Sequence, residues 1–258
     1  MSAELKLQKE GSVAVITISN PPANTWTEYT LGQLKSIIAE LNADKENYAL
    51  VITGEGEKFF SAGADLNLFA SGDVAVASKM SRAFGDAFET LAAYDGVSVA
   101  AINGFAMGGG LECALACDLR IAEEQALMAL PEAKVGLLPC GCGTQNLPWL
   151  VGEGWAKRMI LCGEQLKAPK ALEIGLVEEV VEKGKALEAG IALAQQVGNQ
   201  SPSAVRACKS LIMAARTNPM KHALPLEREM FCDLFDTEDQ AEGVNAFLEK
   251  RKPEWKNG

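Results

Sequence analysis

A single histidine, His222, serves a chain of 258 residues. That scarcity excludes zinc sites built from several imidazoles and leaves His222 as the only imidazole for a Ser–His or Cys–His pair. It lies late in the chain, beyond a proline-containing break, and reads as a surface or helix-terminal residue. Cations are scarce relative to acids: 24 Lys and Arg face 34 Asp and Glu, and the net charge of -10 argues against a nucleic-acid partner. No apolar run is long enough to span a bilayer, so no membrane partner is expected. The opening MSAELKLQKEG lacks a basic segment followed by an apolar one, and it is not rich in Arg and Ser, which gives a cytoplasmic expectation. The seven cysteines are an odd number set mostly in apolar runs, which predicts buried, reduced thiols rather than a disulfide framework. Cys140-Gly141-Cys142 has no second pair at metal-ligand spacing, so no metal site is expected. Gly104-x-x-x-Gly108 is not a dinucleotide fingerprint, and Gly54 to Lys58 has the wrong spacing, and too many acids, for a phosphate loop. Neither an internal repeat nor a low-complexity linker is visible.

What is present is enough apolar material, 48% of residues, for one large domain or one domain with an appendage. Leu5 to Lys9 and Val13 to Ser19 alternate apolar and polar around Gly11 and predict a hairpin. Thr27 can cap a helix to about Asn42, with Leu31, Leu34, Ile37, Ile38 and Leu41 on one face. Tyr48 to Ile52 and Val97 to Ile102 are unbroken apolar runs, suited to strands covered on both faces. Ala75 to Ala93 is an amphipathic helix between them, and Leu119 to Ala122 and Leu127 to Ala129 are short strands. The order strand, loop, helix implies parallel strands with helical crossovers, and ligands in such sheets gather at the carboxyl ends of the strands. After Asn146 the chain turns helical: Trp149 to Leu161, Ala168 to Ile174, Lys185 to Val197, Pro202 to Arg216, Pro225 to Phe235 and Thr237 to Arg251. The last opens with Thr237 and Gln240, a capping-box pattern.

Chemistry concentrates in three places. The stretch Asn103 to Asp118, NGFAMGGGLECALACD, joins an apolar strand to a buried helix through Gly108 to Gly110, where main-chain N–H groups stay free and a ligand can approach closely. The loop Thr53 to Leu66 repeats the arrangement with Ala62, Gly63 and Ala64. Donors from two such loops can converge on one oxygen as an oxyanion hole, although for either loop alone tight packing is the simpler account. Glu112 and Glu132 stand among apolar neighbours, and paired carboxylates in different environments can divide acid and base work. Helix-dipole stabilisation of two ordinary glutamates accounts for that spacing equally well.

Ser61-Ala62-Gly63-Ala64-Asp65-Leu66, Asn103 to Asp118, Pro131-Glu132 and Gly143-Thr144-Gln145 together resemble the crotonase, or enoyl-CoA hydratase/isomerase, superfamily, most of all its enoyl-CoA hydratases. The likeness runs from the Val13 strand to Lys252. It implies an α/β fold, a spiral of repeated ββα units over residues 1–195, with a helical trimerisation region over 196–258. It implies a homotrimer or a dimer of trimers, and a coenzyme A thioester as substrate with no cofactor. By resemblance, Glu112 and Glu132 are the catalytic pair, Glu112 activating water for attack at C3 and Glu132 supplying a proton to C2. The N–H groups of Ala62 and Gly109 bind the thioester oxygen, and Ala62, Gly63, Ala64, Asp65 and Leu66 meet the coenzyme A. Phe247 and Lys250 reach the coenzyme A of a neighbouring subunit. The implied reaction is hydration of a 2-trans-enoyl-CoA, as in fatty acid β-oxidation. Within the superfamily the alternatives are isomerase, lyase or hydrolase, and a non-catalytic RNA-binding member is a further one. The chain departs from the hydratase pattern at Cys140, where Gly is common, and at Trp26, in Asn24-Thr25-Trp26, which can reshape the acyl or coenzyme A channel.

Overall fold

A computed structural model describes residues 3–257; the outermost positions of the two expected units, 1–2 and 258, lie outside it. The chain opens with β1 (Glu4–Glu10) and β2 (Val13–Ser19), antiparallel across the turn at Gly11, then α1 (Glu28–Ala43). Thr27 caps α1 reciprocally with Thr30, as its residue type predicts. Three units of one plan follow, each a strand of a large sheet, a three-residue strand of a small sheet, and a helix. The first is β3 (Ala49–Gly54), β4 (Phe59–Ser61) and α2 (Val74–Ala92). The second is β5 (Val97–Ile102), β6 (Phe105–Met107) and α3 (Gly109–Ala116). The third is β7 (Leu119–Glu123), β8 (Leu127–Ala129) and α4 (Gly143–Leu161). Thus a structural repeat exists where the sequence shows none, because the units share backbone plan and not side chains.

The remaining elements are β9 (Leu166–Lys167), α5 (Ala168–Glu173), β10 (Glu179–Val181), α6 (Ala186–Val197), α7 (Pro202–Ala214), α8 (Met220–Asp233) and α9 (Glu238–Glu249). The large sheet runs β1-β2-β3-β5-β7-β10, all parallel except β1, and the small one runs β4-β6-β8-β9 with β9 antiparallel. Alternate residues of the central strands serve two cores. Ala14, Ile16, Leu50, Ile52, Ala100 and Ile102 face α1, α2 and α3, whereas Val13, Val15, Val51, Val99 and Ala101 face α6. Coverage on both faces is what makes those strands unbroken apolar runs in sequence.

Two helices start earlier than proline placement suggests. Pro148 lies inside α4 and Pro225 inside α8, where the sequence reading put helix starts near Trp149 and at Pro225. Each proline is the sixth residue of its helix, so each helix forms through it at the cost of one intrahelical hydrogen bond. The expectation of buried thiols holds for Cys113 and Cys117 only. Cys140, Cys162, Cys208 and Cys232 are exposed, and all seven are free. Among the described residues, no helix is long and apolar enough to cross a membrane.

Candidate active site

Each repeat unit delivers one wall of a cleft of about 910 Å³: Ala62, Ala64 and Leu66 from the first, Gly108, Gly109 and Glu112 from the second, Pro131, Glu132 and Cys140 from the third. The first two walls interlock at glycines. Gly63 has φ +85, and a Cβ there would stand 2.7 Å from the Met107 carbonyl oxygen and 2.9 Å from the Gly109 nitrogen. A Cβ on Gly110 would overlap the Ser61 carbonyl oxygen, and one on Gly109 would stand 2.7 Å from the Phe84 ring. Only glycine lets these loops touch.

That contact decides which N–H groups are free. The Ala62 N–H donates to the Ala23 carbonyl at 2.9 Å and the Gly63 N–H to Ser61 Oγ at 3.1 Å. The expectation that Ala62 offers a free donor is therefore corrected. The turn holding Ala23 is fixed by buried Asn24, whose side-chain amide donates to the Glu55 and Phe59 carbonyls. On this loop it is the Ala64 N–H that takes no acceptor among the described residues, and the same holds for the Gly109 N–H at the start of α3. Asp65 accepts from Asn67 N–H at 3.0 Å and caps a short 3-10 turn, Leu66–Phe69; it does not line the cleft. Phe247, exposed on α9, and Lys250, its left-handed C-cap, do not line the cleft of their own chain either.

The two carboxylates meet different fates. Glu112 is buried one turn into α3, and its Oε1 accepts from the N–H groups of Gly141 and Gly143, both at 2.8 Å. Burial raises its pKa, and those N–H donors act against the rise. Glu132 opens a 3-10 turn, Glu132–Val135, and lies over Gly108, whose Cβ would stand 3.1 Å from its Oε1. Its buried Oε2 has no partner among the described residues. Burial, with Glu112 adding to it, pushes the Glu132 carboxyl up to about 7. The pair thus combines a carboxylate held by fixed dipoles with one poised to exchange a proton near neutrality.

Cys140 lines the same cleft, and although the residue as a whole is exposed, desolvation of its thiol by the cleft wall, with the charges of both glutamates adding, pushes it up to about 11, so it faces the cleft as neutral S–H. Trp26 is fully buried, stacked edge-on against Phe88, and forms core behind the site rather than channel wall. His222 is exposed on α8 and off the cleft. Among the described residues, no three His, Cys, Asp or Glu side chains cluster as metal ligands. The donors at Gly141 and Gly143 escaped sequence reading; the alternation Cys140-Gly141-Cys142-Gly143 ahead of a helix was the available signal.

The Enoyl-CoA hydratase/isomerase family profile matches residues 8–258. The short-chain-enoyl-CoA hydratase of Clostridium acetobutylicum is 39% identical, over 96% of this chain and 95% of that one. A solved structure of Pseudomonas aeruginosa DspI is 63% identical with a TM-score of 0.96, covering 98% of this chain and 96% of that one. An enoyl-CoA hydratase structure from Bacillus anthracis is 34% identical with a TM-score of 0.94, covering 98% and 99%. Two interlocked glycine loops, a pair of cleft carboxylates of which one is buried and one half-buried, and a match across nearly the whole chain place this protein in the enoyl-CoA hydratase/isomerase family of the crotonase superfamily.

Proposed function

We propose that the chain is an enoyl-CoA hydratase, adding water across the double bond of a 2-trans-enoyl-CoA to give a 3-hydroxyacyl-CoA. The observation that carries this reading is the pair of unlike carboxylates facing one cleft with two acceptor-free N–H groups. The Ala64 and Gly109 N–H groups receive the thioester oxygen, on which negative charge grows as water attacks C3. Each such donor is worth about 3 kcal/mol by analogy with other oxyanion holes. Glu112, as carboxylate, accepts the proton of the attacking water. Glu132, protonated in a large fraction of molecules near pH 7, gives a proton to C2 as the enolate collapses. The reaction is redox-neutral and its charge is met by N–H donors, so the reading requires no cofactor.

Two carboxylates in the cleft favour hydratase over isomerase, since moving a proton between carbons requires only one. The net charge of -10 disfavours the RNA-binding alternative. Exposed apolar side chains on α7 to α9, among them Ile212, Phe231, Phe235, Phe247 and Leu248, support a trimer or dimer of trimers. In such an assembly Phe247 and Lys250 reach a neighbour's coenzyme A. The setting is cytoplasmic. Turnover of a panel of enoyl-CoA thioesters, crotonyl to long-chain and branched, with products identified, tests the reading. A protein that shifts the double bond of a 3-enoyl-CoA and leaves 2-enoyl-CoA unhydrated is an isomerase.

A further inference from the structure

We infer that Cys142 and Asn146 are positioning residues for Glu112, holding the 141–143 loop so that two N–H groups meet one carboxylate oxygen. The catalytic consequence rests on the hydratase reading above; the positioning itself does not.

Cys142 stands between the two donors and has φ +128, a left-handed backbone held by a residue with a side chain. Its thiol donates to the carbonyl oxygen of Glu112 itself, at 3.4 Å. Asn146, one turn into α4, donates its N–H to the Cys142 carbonyl at 2.9 Å. Its side-chain amide donates to the Leu115 carbonyl at 3.1 Å. Asn146 Oδ1 in turn accepts from the Arg216 guanidinium at 3.3 Å. The loop is therefore tied twice to α3, the helix that carries Glu112, and the tie is oriented from the end of α7.

Fit is close: a Cβ on Gly141 would stand 3.2 Å from Glu112 Oε2, and one on Gly143 would stand 3.0 Å from Oε1. Without the ties, residue 142 relaxes out of the left-handed region, the following peptide rotates, and the Gly143 N–H leaves Oε1. The titratable groups around Glu112 are Glu132, Cys140, Cys142 and Cys113, none of them cationic, and the packed faces of α2 bring Phe84 and Phe88. Among the described residues, the only cation on the cleft wall is Lys134, which lies over Gly163.

The test compares Asn146→Leu and Cys142→Ala, which cut the ties, with Cys142→Ser, which keeps a donor at the same place. Glutamate-labelled infrared difference spectra, with Glu112→Gln identifying the band, follow Glu112 ionisation. In Asn146→Leu and Cys142→Ala the midpoint rises by about one pH unit or more, as loss of a donor to a buried carboxylate requires. Cys142→Ser restores it. Turnover of crotonyl-CoA at pH 7 falls roughly tenfold in the first two variants with KM changed by less than about twofold, because the oxyanion donors are untouched. Folded variants whose midpoint stays with the wild type overturn the inference. If Asn146→Leu does not fold, Cys142→Ala, the loss of one sulfur atom, decides. If the wild type hydrates no enoyl thioester, the hydratase reading fails and the infrared midpoint still judges the positioning.

Discussion

Replacing Glu132 by glutamine should stabilise the protein while disabling it, and the stabilisation should depend on pH in a defined direction. The folded chain holds the Glu132 proton up to about 7, against an ordinary carboxylate value of 4.5. Between those values the folded state binds more protons than the unfolded one, so stability falls as pH rises from about 4.5 through about 7 and stays lower above. The span is about 2.5 pH units, and at about 1.36 kcal/mol each the ceiling is about 3.4 kcal/mol. Glu132 is half-buried, so solvent screens part of this, and about 1.5 kcal/mol is the working figure. Glutamine keeps the shape and removes the ionisation. For a chain of this length that corresponds to a melting temperature about 3 °C above wild type at pH 8.5. At pH 5 the folded wild type carries a neutral group there and only about a quarter of the effect remains, so the two proteins should melt within about 1 °C of each other. Thermal melts across pH 5 to 8.5 check this, with crotonyl-CoA hydration falling by at least about 100-fold in parallel. A variant that is less stable at pH 8.5, or a difference that does not change with pH, would refute the burial argument for Glu132.

Glu112→Gln should also lower hydration by at least about 100-fold, and the double variant should be far less than multiplicatively worse, since both side chains handle one water; intact hydration in Glu112→Gln ends the two-carboxylate mechanism. Gly63→Ala should lower kcat by about 100-fold or more, because its methyl meets the Met107 carbonyl and the Gly109 N–H at 2.7 and 2.9 Å and spreads the two donors apart. Steady-state kinetics with circular dichroism as a folding control reads it, and unchanged kcat in a folded variant contradicts the interlock. Cys140→Ala should keep most activity, since a thiol pushed up to about 11 is no nucleophile at neutral pH; an acyl-enzyme trapped on wild-type Cys140 would reverse that.

How much was legible in sequence follows from how local each feature is. β3 and β5 were visible as apolar runs because a strand covered on both faces carries its burial in its own residues. β4 and β6, three residues each, have no period to read; they exist because Gly54 and Gly104 let the chain fold back against Phe59, Phe60 and Lys58 carbonyls. Glu112 and Glu132 stood out because an acid in an apolar run is costly wherever it lands. The free donor was misplaced by two residues for a nonlocal reason. Which of Ala62 and Ala64 keeps its N–H free is settled by the Ala23 carbonyl, about forty residues upstream in the chain, delivered by a turn that Asn24 pins.

The difference between the two carboxylates is itself a product of the repeat. Both arrive just after a short strand of the small sheet, β6 and β8, on neighbouring units that lie side by side. After β6 the chain enters α3 at once through Gly108, so Glu112 falls inside a helix and is carried down into the core, where only fixed dipoles can compensate its burial. After β8 the chain makes a 3-10 turn and a loop of exposed apolar residues before α4, so Glu132 stays at the cleft wall. That same loop ends at Gly141 and Gly143, whose N–H groups go to Glu112 and leave none for Glu132 Oε2. Supplying the donors of one carboxylate from the segment that carries the other opposes the burial shift of Glu112 and leaves that of Glu132 unopposed at Oε2, with no charged partner needed for either.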